Sequence, residues 1–137
     1  MKSVGDVMSR DPRTVGRNDR LAIADDLMNA ERIRHLLVLD DAGKLTGVLS
    51  QRDLFHSALV RALGFGTAAR DKVLDSILIK NVMTKDVETT TPDTPLDSAA
   101  ALMAQRKIGC LPVVENDALV GILTEGDFVR LVADEGR

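Results

Sequence analysis

Apolar residues recur at helical spacing in two stretches of the chain, one in each half. They are Leu21, Ala24, Leu27 and Met28 in the first half, and Leu96, Ala99, Leu102 and Met103 in the second. Spacings of three and four residues place these side chains on one face, so both stretches predict an amphipathic α-helix. We expect Asn18 or Asp19 to cap the first helix, and Thr94 followed by Pro95 to begin the second.

Two runs of strand-forming residues follow each predicted helix. They cover residues 36–39 and 45–49 in the first half, and residues 111–114 and 119–123 in the second. Turn-forming residues separate the runs, which predicts a β-hairpin in each half. With an extended piece before each helix and another helix after each hairpin, the order is β-α-β-β-α twice. The predicted fold class is therefore mixed, α/β or α+β.

The two halves are copies of one pattern. At an offset of 75 residues, positions 7–41 match their counterparts at 11 of 35 places, starting with Val7-Met8 and Val82-Met83. After the loss of one residue in the hairpin turn, positions 43–53 add 4 matches of 11. Unrelated amphipathic elements can share residue types, but they do not share the same order of motifs. The sequence is therefore an internal duplication.

The duplication sets the expected domain boundaries. Residues 1–60 form the first repeat, residues 61–78 a helical connection after a break at Gly64-Phe65-Gly66, and residues 79–137 the second repeat. A repeat of about 60 residues buries too little surface to be stable alone. We therefore expect the repeats to pack with pseudo-twofold symmetry, sheet to sheet, as one self-contained pair with two equivalent clefts.

Composition narrows the class of protein. The 18 basic residues are scattered among 21 acidic ones and aromatic residues make up 2% of the chain, so we expect no nucleic-acid surface. The apolar runs fall short of the roughly 20 residues that cross a bilayer, and no signal peptide is visible. The single cysteine, Cys110, is interpreted as a buried thiol in a reducing compartment. We therefore expect a cytoplasmic protein that does not bind membranes.

Three motifs in each half resemble those of cystathionine-β-synthase-type (CBS) repeats. They are Val-Met-Ser/Thr near the start, Ile-x-x-Leu-x-Val before the hairpin, and Gly-Val-Leu-Ser-x-x-Asp or Gly-Ile-Leu-Thr-x-x-Asp after it. The resemblance covers residues 4–57 and 79–133, and two copies in matching order identify the chain as a tandem CBS pair. This implies a non-catalytic regulatory module that binds an adenosyl nucleotide.

The last motif contains the residues best suited to hold a ligand, Ser50 with Asp53 and Thr124 with Asp127. A hydroxyl residue followed three positions later by an acid also resembles a capping box, which is a structural role. A helix N-terminus presents free amides and positive potential to an anion. The resemblance implies that the aspartate holds the ribose and that the hydroxyl residue lies near the phosphate. The capping role and the binding role are compatible.

The resemblance also implies that each cleft combines the acid of one repeat with an adenine lining from the other. The two expected sets are Asp127 and Thr124 with Thr14, Val15, Ile33 and Leu37, and Asp53 and Ser50 with Thr89, Thr90, Ile108 and Pro112. The adenine contacts expected from these residues are mostly apolar or made by the main chain.

Cations for a phosphate are distributed unequally between the repeats. Arg34 and His35 are candidates to bind it, with Arg52 as a third. The alternative is a solvated strand-end charge for Arg34 and a hydrogen-bonded, partly buried ring for His35. Gly109 and Cys110 occupy the equivalent positions in the second repeat, which favours one functional site over two.

No catalytic or metal-binding constellation is visible. Two histidines without a cysteine pair do not make a zinc site, and Gly64-Phe65-Gly66 lacks the lysine of a phosphate-binding loop. We therefore expect no enzyme activity, no metal and no obligatory cofactor. The expected regulatory ligand is AMP, ADP or ATP, with S-adenosylmethionine or NADH as alternatives.

The helices that follow the hairpins carry apolar residues on several sides, such as Phe55 and Val129. This excess predicts a homodimer interface, and the family resemblance implies a four-repeat disc. The resemblance further implies a protein partner, which the sequence does not identify. A homodimeric adaptor that regulates this partner without any ligand is the alternative function.

Overall fold

The computed structural model of the chain describes residues 2–62 and 67–135, with side chains described outside residues 58–70. The break predicted at Gly64-Phe65-Gly66 lies outside the described residues. The elements are α1 Val4–Val7, β1 Ser9–Arg10, β2 Thr14–Gly16, α2 Leu21–Glu31, β3 His35–Leu39, β4 Leu45–Ser50, α3 Gln51–Ala62, α4 Thr67–Ser76, a 3₁₀ helix Ile79–Asn81, α5 Leu96–Arg106, β5 Cys110–Glu115, β6 Ala118–Thr124 and α6 Glu125–Glu135.

The predicted mixed fold class is confirmed, with a helix, a β-hairpin and a second helix in each half. Both hairpins are antiparallel, with a register shift between Val38 and Leu39 in the first and between Val113 and Val114 in the second. The extended pieces before the helices differ between the halves. In the first, β2 pairs with β3 as a parallel strand, whereas in the second Thr90 forms a single parallel bridge to Val113.

Contacts divide the chain into two compact units. The Asp53 unit comprises Arg13–Val87, and the Asp127 unit comprises Met1–Pro12 together with Glu88–Arg137. This division differs from the linear boundaries expected from the duplication. Residues 1–12 open the first repeat but lie in the Asp127 unit, and residues 79–87 open the second repeat but lie in the Asp53 unit.

In the Asp53 unit, the sheet has the order β2-β3-β4. Thr84 extends it at the β4 edge, because its N–H donates to the Val48 carbonyl at 2.9 Å and the Val48 N–H donates back at 3.0 Å. Helices α2 and α4 and the 3₁₀ helix contribute Leu21, Leu74 and Ile79 to the core beneath this sheet. The opening segment of the second repeat thus completes the sheet of the Asp53 unit.

The Asp127 unit is built in the same way, with the roles of the two repeats exchanged. Its sheet has the order β1-β6-β5, with Ser9 opposite Ile122 in an antiparallel pair. Val4 of α1 is fully buried in the core of this unit with Leu111 and Leu123. The opening segment of the first repeat therefore completes the sheet and the core of the Asp127 unit.

The capping predicted for α2 is wrong. Its N-cap is Arg20, which makes no side-chain capping bond, and not Asn18 or Asp19. The N–H of Leu21, the first helical residue, instead donates to the carbonyl of Ile77 at 2.8 Å. The backbone carbonyl of Ile77, just after α4, thus replaces the expected side-chain cap.

Helix α5 begins one residue later than predicted, with Pro95 and not Thr94 at the N-cap. The N–H of Leu96 donates to the carbonyl of Lys2 at 3.0 Å, and the Val4 N–H donates to the Thr94 carbonyl at 2.9 Å. The opening segment of the first repeat therefore satisfies the start of α5, as the segment just before the second repeat does at α2.

Glycines in the second strand of each hairpin allow the opening segments to approach closely. A Cβ atom at Gly121 would lie 2.8 Å from both Met8 Sδ and the Ser9 carbonyl oxygen. A Cβ at Gly47 would lie 2.5 Å from Met83 Sδ. The methionine of the Val-Met-Ser/Thr motif thus fills the place of a missing side chain on the paired strand.

We expect Gly121→Ala to lower the free energy of unfolding by about 1–3 kcal/mol, because the added methyl group displaces Met8 or the β1 backbone. Chemical denaturation with urea measures this. Gly126→Ala is the control, since its Cβ would meet no heavy atom closer than 3.4 Å and alanine favours a helix by about 1 kcal/mol over glycine. A Gly121→Ala protein as stable as wild type would contradict the close approach.

Candidate functional site

Reciprocal hydrogen bonds between Ser50 and Asp53 form the start of α3. The Asp53 N–H donates to Ser50 Oγ at 3.0 Å, and the Ser50 N–H donates to Asp53 Oδ2 at 3.2 Å. This is the capping box that the sequence pattern predicts. Both residues are half-buried, so the cap leaves part of the carboxylate accessible.

Thr124 and Asp127 form the corresponding contact at the start of α6. The Thr124 N–H donates to Asp127 Oδ2 at 2.8 Å, and the Thr124 hydroxyl donates to the same oxygen at 3.3 Å. Asp127 is only 4% exposed. A carboxylate buried to this extent is costly unless donors or cations satisfy both of its oxygens.

Oδ1 of Asp127 is contacted by two side chains, Ser9 and Arg130, that the sequence motifs did not indicate. The Ser9 hydroxyl donates to it at 3.1 Å, and Arg130 Nη2 lies 2.5 Å away. Arg130 follows Asp127 by three positions on α6, a spacing that permits an ion pair and was available as a signal. Ser9 reaches the site only because β1 pairs with β6, and no local sequence pattern indicates that pairing.

In the Asp53 unit, the hairpin brings two of the three phosphate candidates, Arg34 and His35, to the start of α3. His35 stands opposite Ser50 across β3 and β4. The N–H of Gln51, the first residue of α3, donates to the Arg34 carbonyl at 2.7 Å. Arg34 is exposed and His35 is half-buried. These two residues therefore lie at the same helix start as Ser50 and Asp53.

In the Asp127 unit, Gly109 and Cys110 occupy the equivalent place. Cys110 stands opposite Thr124, and the Glu125 N–H donates to the Gly109 carbonyl at 3.2 Å. Burial, and secondarily the Glu125 carboxylate, raises the pKa of the Cys110 thiol to about 12. The thiol is consequently protonated and neutral near pH 7, as expected for a packed cysteine.

The residues expected to line an adenine divide between the units. In each set a threonine is exposed, an isoleucine is half-buried and a strand residue is buried: Thr14, Ile33 and Val15 in the Asp53 unit, and Thr89, Ile108 and Pro112 in the Asp127 unit. Each unit thus contains one acid with its hydroxyl residue and one set of lining candidates.

Within residues 2–62 and 67–135, no cluster of three or more histidine, cysteine, aspartate or glutamate side chains is arranged to hold a metal ion. Over the same residues, no helix combines the length and the apolar character needed to cross a membrane.

The fold and the two helix starts define a tandem-repeat module in which each repeat places a hydroxyl residue and an aspartate at the first turn of a helix. The family model described as the CBS domain matches this chain twice, at residues 4–59 and 79–134. The chain therefore belongs to the CBS domain family, which confirms the resemblance noted in its motifs.

Solved structures of high similarity extend over nearly the whole chain. A Vibrio cholerae protein provisionally named as an acetoin utilization protein (AcuB) is 38% identical with a TM-score of 0.81, covering 98% of this chain and 93% of that one. The CBS domain pair of protein MJ0100, in complex with 5'-methylthioadenosine and S-adenosyl-L-methionine, is 29% identical with a TM-score of 0.79 and 98% coverage of both chains. CBSX2 in complex with AMP is 28% identical with a TM-score of 0.79 and full coverage of both.

Curated relatives are longer proteins. The homoserine O-acetyltransferase of Methanohalophilus mahii is 32% identical over 131 residues, which make up 95% of this chain but 24% of that protein. The chain thus spans about a quarter of the length of the curated relatives it matches.

We expect Cys110 in the native protein to react slowly with a disulfide reagent such as DTNB at pH 8. A pKa raised from 9.0 to about 12 lowers the thiolate fraction about a thousandfold relative to the unfolded chain. Absorbance at 412 nm follows the reaction, with the urea-unfolded protein as the control. Equal rates for the native and unfolded proteins would contradict the burial of this thiol.

Proposed function

We propose that this chain is a non-catalytic regulatory module that senses an adenosyl nucleotide of the AMP, ADP or ATP class. The observation that carries the proposal is the enclosed carboxylate of Asp127 beside the Thr124 hydroxyl at the first turn of α6, repeated by Asp53 and Ser50 at α3. The structures of two similar proteins, MJ0100 and CBSX2, contain adenosyl ligands.

The chemistry of a nucleotide fits this arrangement. A carboxylate at the first turn can accept hydrogen bonds from the two ribose hydroxyls, and the positive end of the helix dipole favours a phosphate nearby. Ser50 and Thr124 add a hydroxyl donor at the same end of each helix. The same pattern of residues can therefore bind both the ribose and the phosphate.

We further propose that Asp127, Thr124, Asp53 and Ser50 bind the ribose and the phosphate, and that the lining candidates contact the adenine. These candidates are Thr14, Val15, Ile33, Thr89, Ile108 and Pro112. The lining residues are mainly apolar or expose backbone groups, which suits the edge and the faces of an adenine ring.

The expected role is regulation of a protein partner in the cytoplasm, without enzyme activity, nucleic acid or membrane. The curated relatives support it, because a region like this chain forms only a quarter of proteins named as enzymes. A ligand that binds two conformations of the module unequally shifts their populations, and a bound partner can detect that shift.

We expect AMP, ADP or ATP to raise the melting temperature of the purified protein, with no effect from matched guanosine nucleotides. Binding to the native state stabilises it by about 2.7 kcal/mol at a hundredfold excess over Kd. A thermal-shift panel that includes S-adenosylmethionine and NADH measures this and identifies the preferred ligand.

The variant Asp127→Asn tests the site assignment, with Asp134→Asn on the exposed surface of the same helix as the control. The loss of a charged acceptor for the ribose should weaken nucleotide binding at this site about tenfold or more. Unchanged affinity in Asp127→Asn, measured by calorimetry, would remove Asp127 from the site. A flat thermal-shift panel with the folded wild type would contradict the nucleotide-sensing function itself.

A homodimeric adaptor without a ligand is the second candidate, favoured by exposed apolar side chains on the helices after the hairpins. Val129 and Val132 are each 68% exposed on α6, and Phe55 is 55% exposed on α3. Val129 and Val132 lie three residues apart and share a face of α6. Such side chains suit the helix interface of a four-repeat homodimer.

We expect Val129→Asp combined with Val132→Asp to convert a dimer into a monomer, because two buried carboxylates at an interface are strongly unfavourable. Light scattering coupled to size-exclusion chromatography measures the mass. The control is Ile23→Asp, an exposed apolar position on α2 that is 48% exposed. A wild-type protein that is monomeric at all accessible concentrations would refute the homodimer.

A further inference from the structure

The two helix starts differ in how a cation is supplied. At α3, Arg34 and His35 stand at the beginning of the neighbouring strand and Arg52 is in the first turn of the helix. At α6, the equivalent three positions are Gly109, Cys110 and Gly126. None of these side chains carries a positive charge, so a phosphate at α6 would need a cation from a different position.

Arg130 places a cation at the start of α6. Its Nη2 lies 2.5 Å from Asp127 Oδ1. A Cβ atom at Gly126 would lie 3.4 Å from Arg130 Nη1 and 3.6 Å from the Thr124 hydroxyl. The guanidinium group therefore lies over Gly126 in the first turn, beside the Asp127 carboxylate. The first repeat differs at both positions, with Arg52 in place of Gly126 and His56 in place of Arg130.

The two ends of this ion pair differ in exposure. The Asp127 side chain is 3% exposed and is fixed by Thr124 and Ser9, whereas the Arg130 side chain is 67% exposed. Arg130 can therefore leave Oδ1 while Asp127 stays in place. An exposed arginine also retains several unused N–H donors in a planar fork that matches a phosphate group.

We infer that Arg130 is the phosphate-recognition residue of the Asp127 site, and that it makes this site selective for nucleoside 5'-phosphates over adenosine and other adenosyl compounds without a phosphate. The inference rests on the proposed nucleotide-sensing function and specifies the ligand class at one of the two proposed sites, the one at Asp127.

The selectivity follows from an exchange of partners on Asp127. Ribose hydroxyls that bind Oδ1 take the place of Arg130, so any adenosyl ligand breaks the ion pair. A ligand with a 5'-phosphate gives the displaced guanidinium a new anionic partner within reach, and charge-assisted bonds of this kind are the stronger class. Adenosine offers no such partner, and a sulfonium compound would repel the guanidinium.

The experiment compares AMP with adenosine by calorimetry in an Asp53→Asn background, so that only the Asp127 site is measured. Arg130→Gln should weaken AMP binding about ten- to hundredfold, the range for one charge-assisted pair. The same variant should bind adenosine as well as or better than its parent, because no ion pair has to be broken. Arg130→Lys should retain an intermediate preference for AMP, since it keeps the charge without the fork.

The control is Arg106→Gln, which removes another exposed arginine of the Asp127 unit, one that is paired with Glu88. It should leave the ratio of AMP to adenosine affinity unchanged. If Arg130→Gln lowers the affinities for AMP and adenosine equally, or lowers neither, the phosphate role is overturned while nucleotide sensing stands. If no adenosyl compound binds the parent protein, both the inference and the proposed site at Asp127 fail.

Discussion

The close approach between each opening segment and a glycine of a hairpin is the contact on which both units depend. Met8 and Ser9 lie against Gly121, and Met83 lies against Gly47 in the same manner. A side chain at either glycine would displace the methionine or the backbone of the segment. The Val-Met-Ser/Thr motif and the glycine of the hairpin motif are therefore two parts of one interaction. Because the segment comes from the other repeat, neither stretch of duplicated sequence contains a whole unit.

In the Asp127 unit this interaction also builds the candidate site. Ser9 follows Met8 directly, so the segment that docks on Gly121 also delivers a hydroxyl donor to Asp127. In the Asp53 unit, Thr84 holds the equivalent position and its side chain is exposed. A displacement of β1 would therefore affect the acid of one site directly. The equivalent displacement in the other unit would leave the capping box of Asp53 intact.

The sequence was sufficient for the elements and the duplication, because helical and strand periodicities are local properties of the chain. It was insufficient where backbone groups that are distant in the sequence determine how a helix begins or which strands pair. Side-chain caps were predicted for α2 and α5, but carbonyl groups of Ile77 and Lys2 occupy the helix starts. Ser9 was missed because the register between β1 and β6 has no local signal. Arg130 was missed because cations were sought at positions equivalent to Arg34, whereas the two repeats carry them at different positions.

The contrast between Asp53 and Asp127 bears on why an acid occupies both positions. A capping box explains Asp53 without any ligand. It does not explain Asp127 equally well, since the desolvation of a buried carboxylate offsets much of its attraction to Arg130, whose side chain is 67% exposed. The two aspartates differ in burial and in their partners. They share a carboxylate oxygen at the first turn of a helix, beside a hydroxyl group, which is the arrangement on which the proposed ribose and phosphate contacts rest.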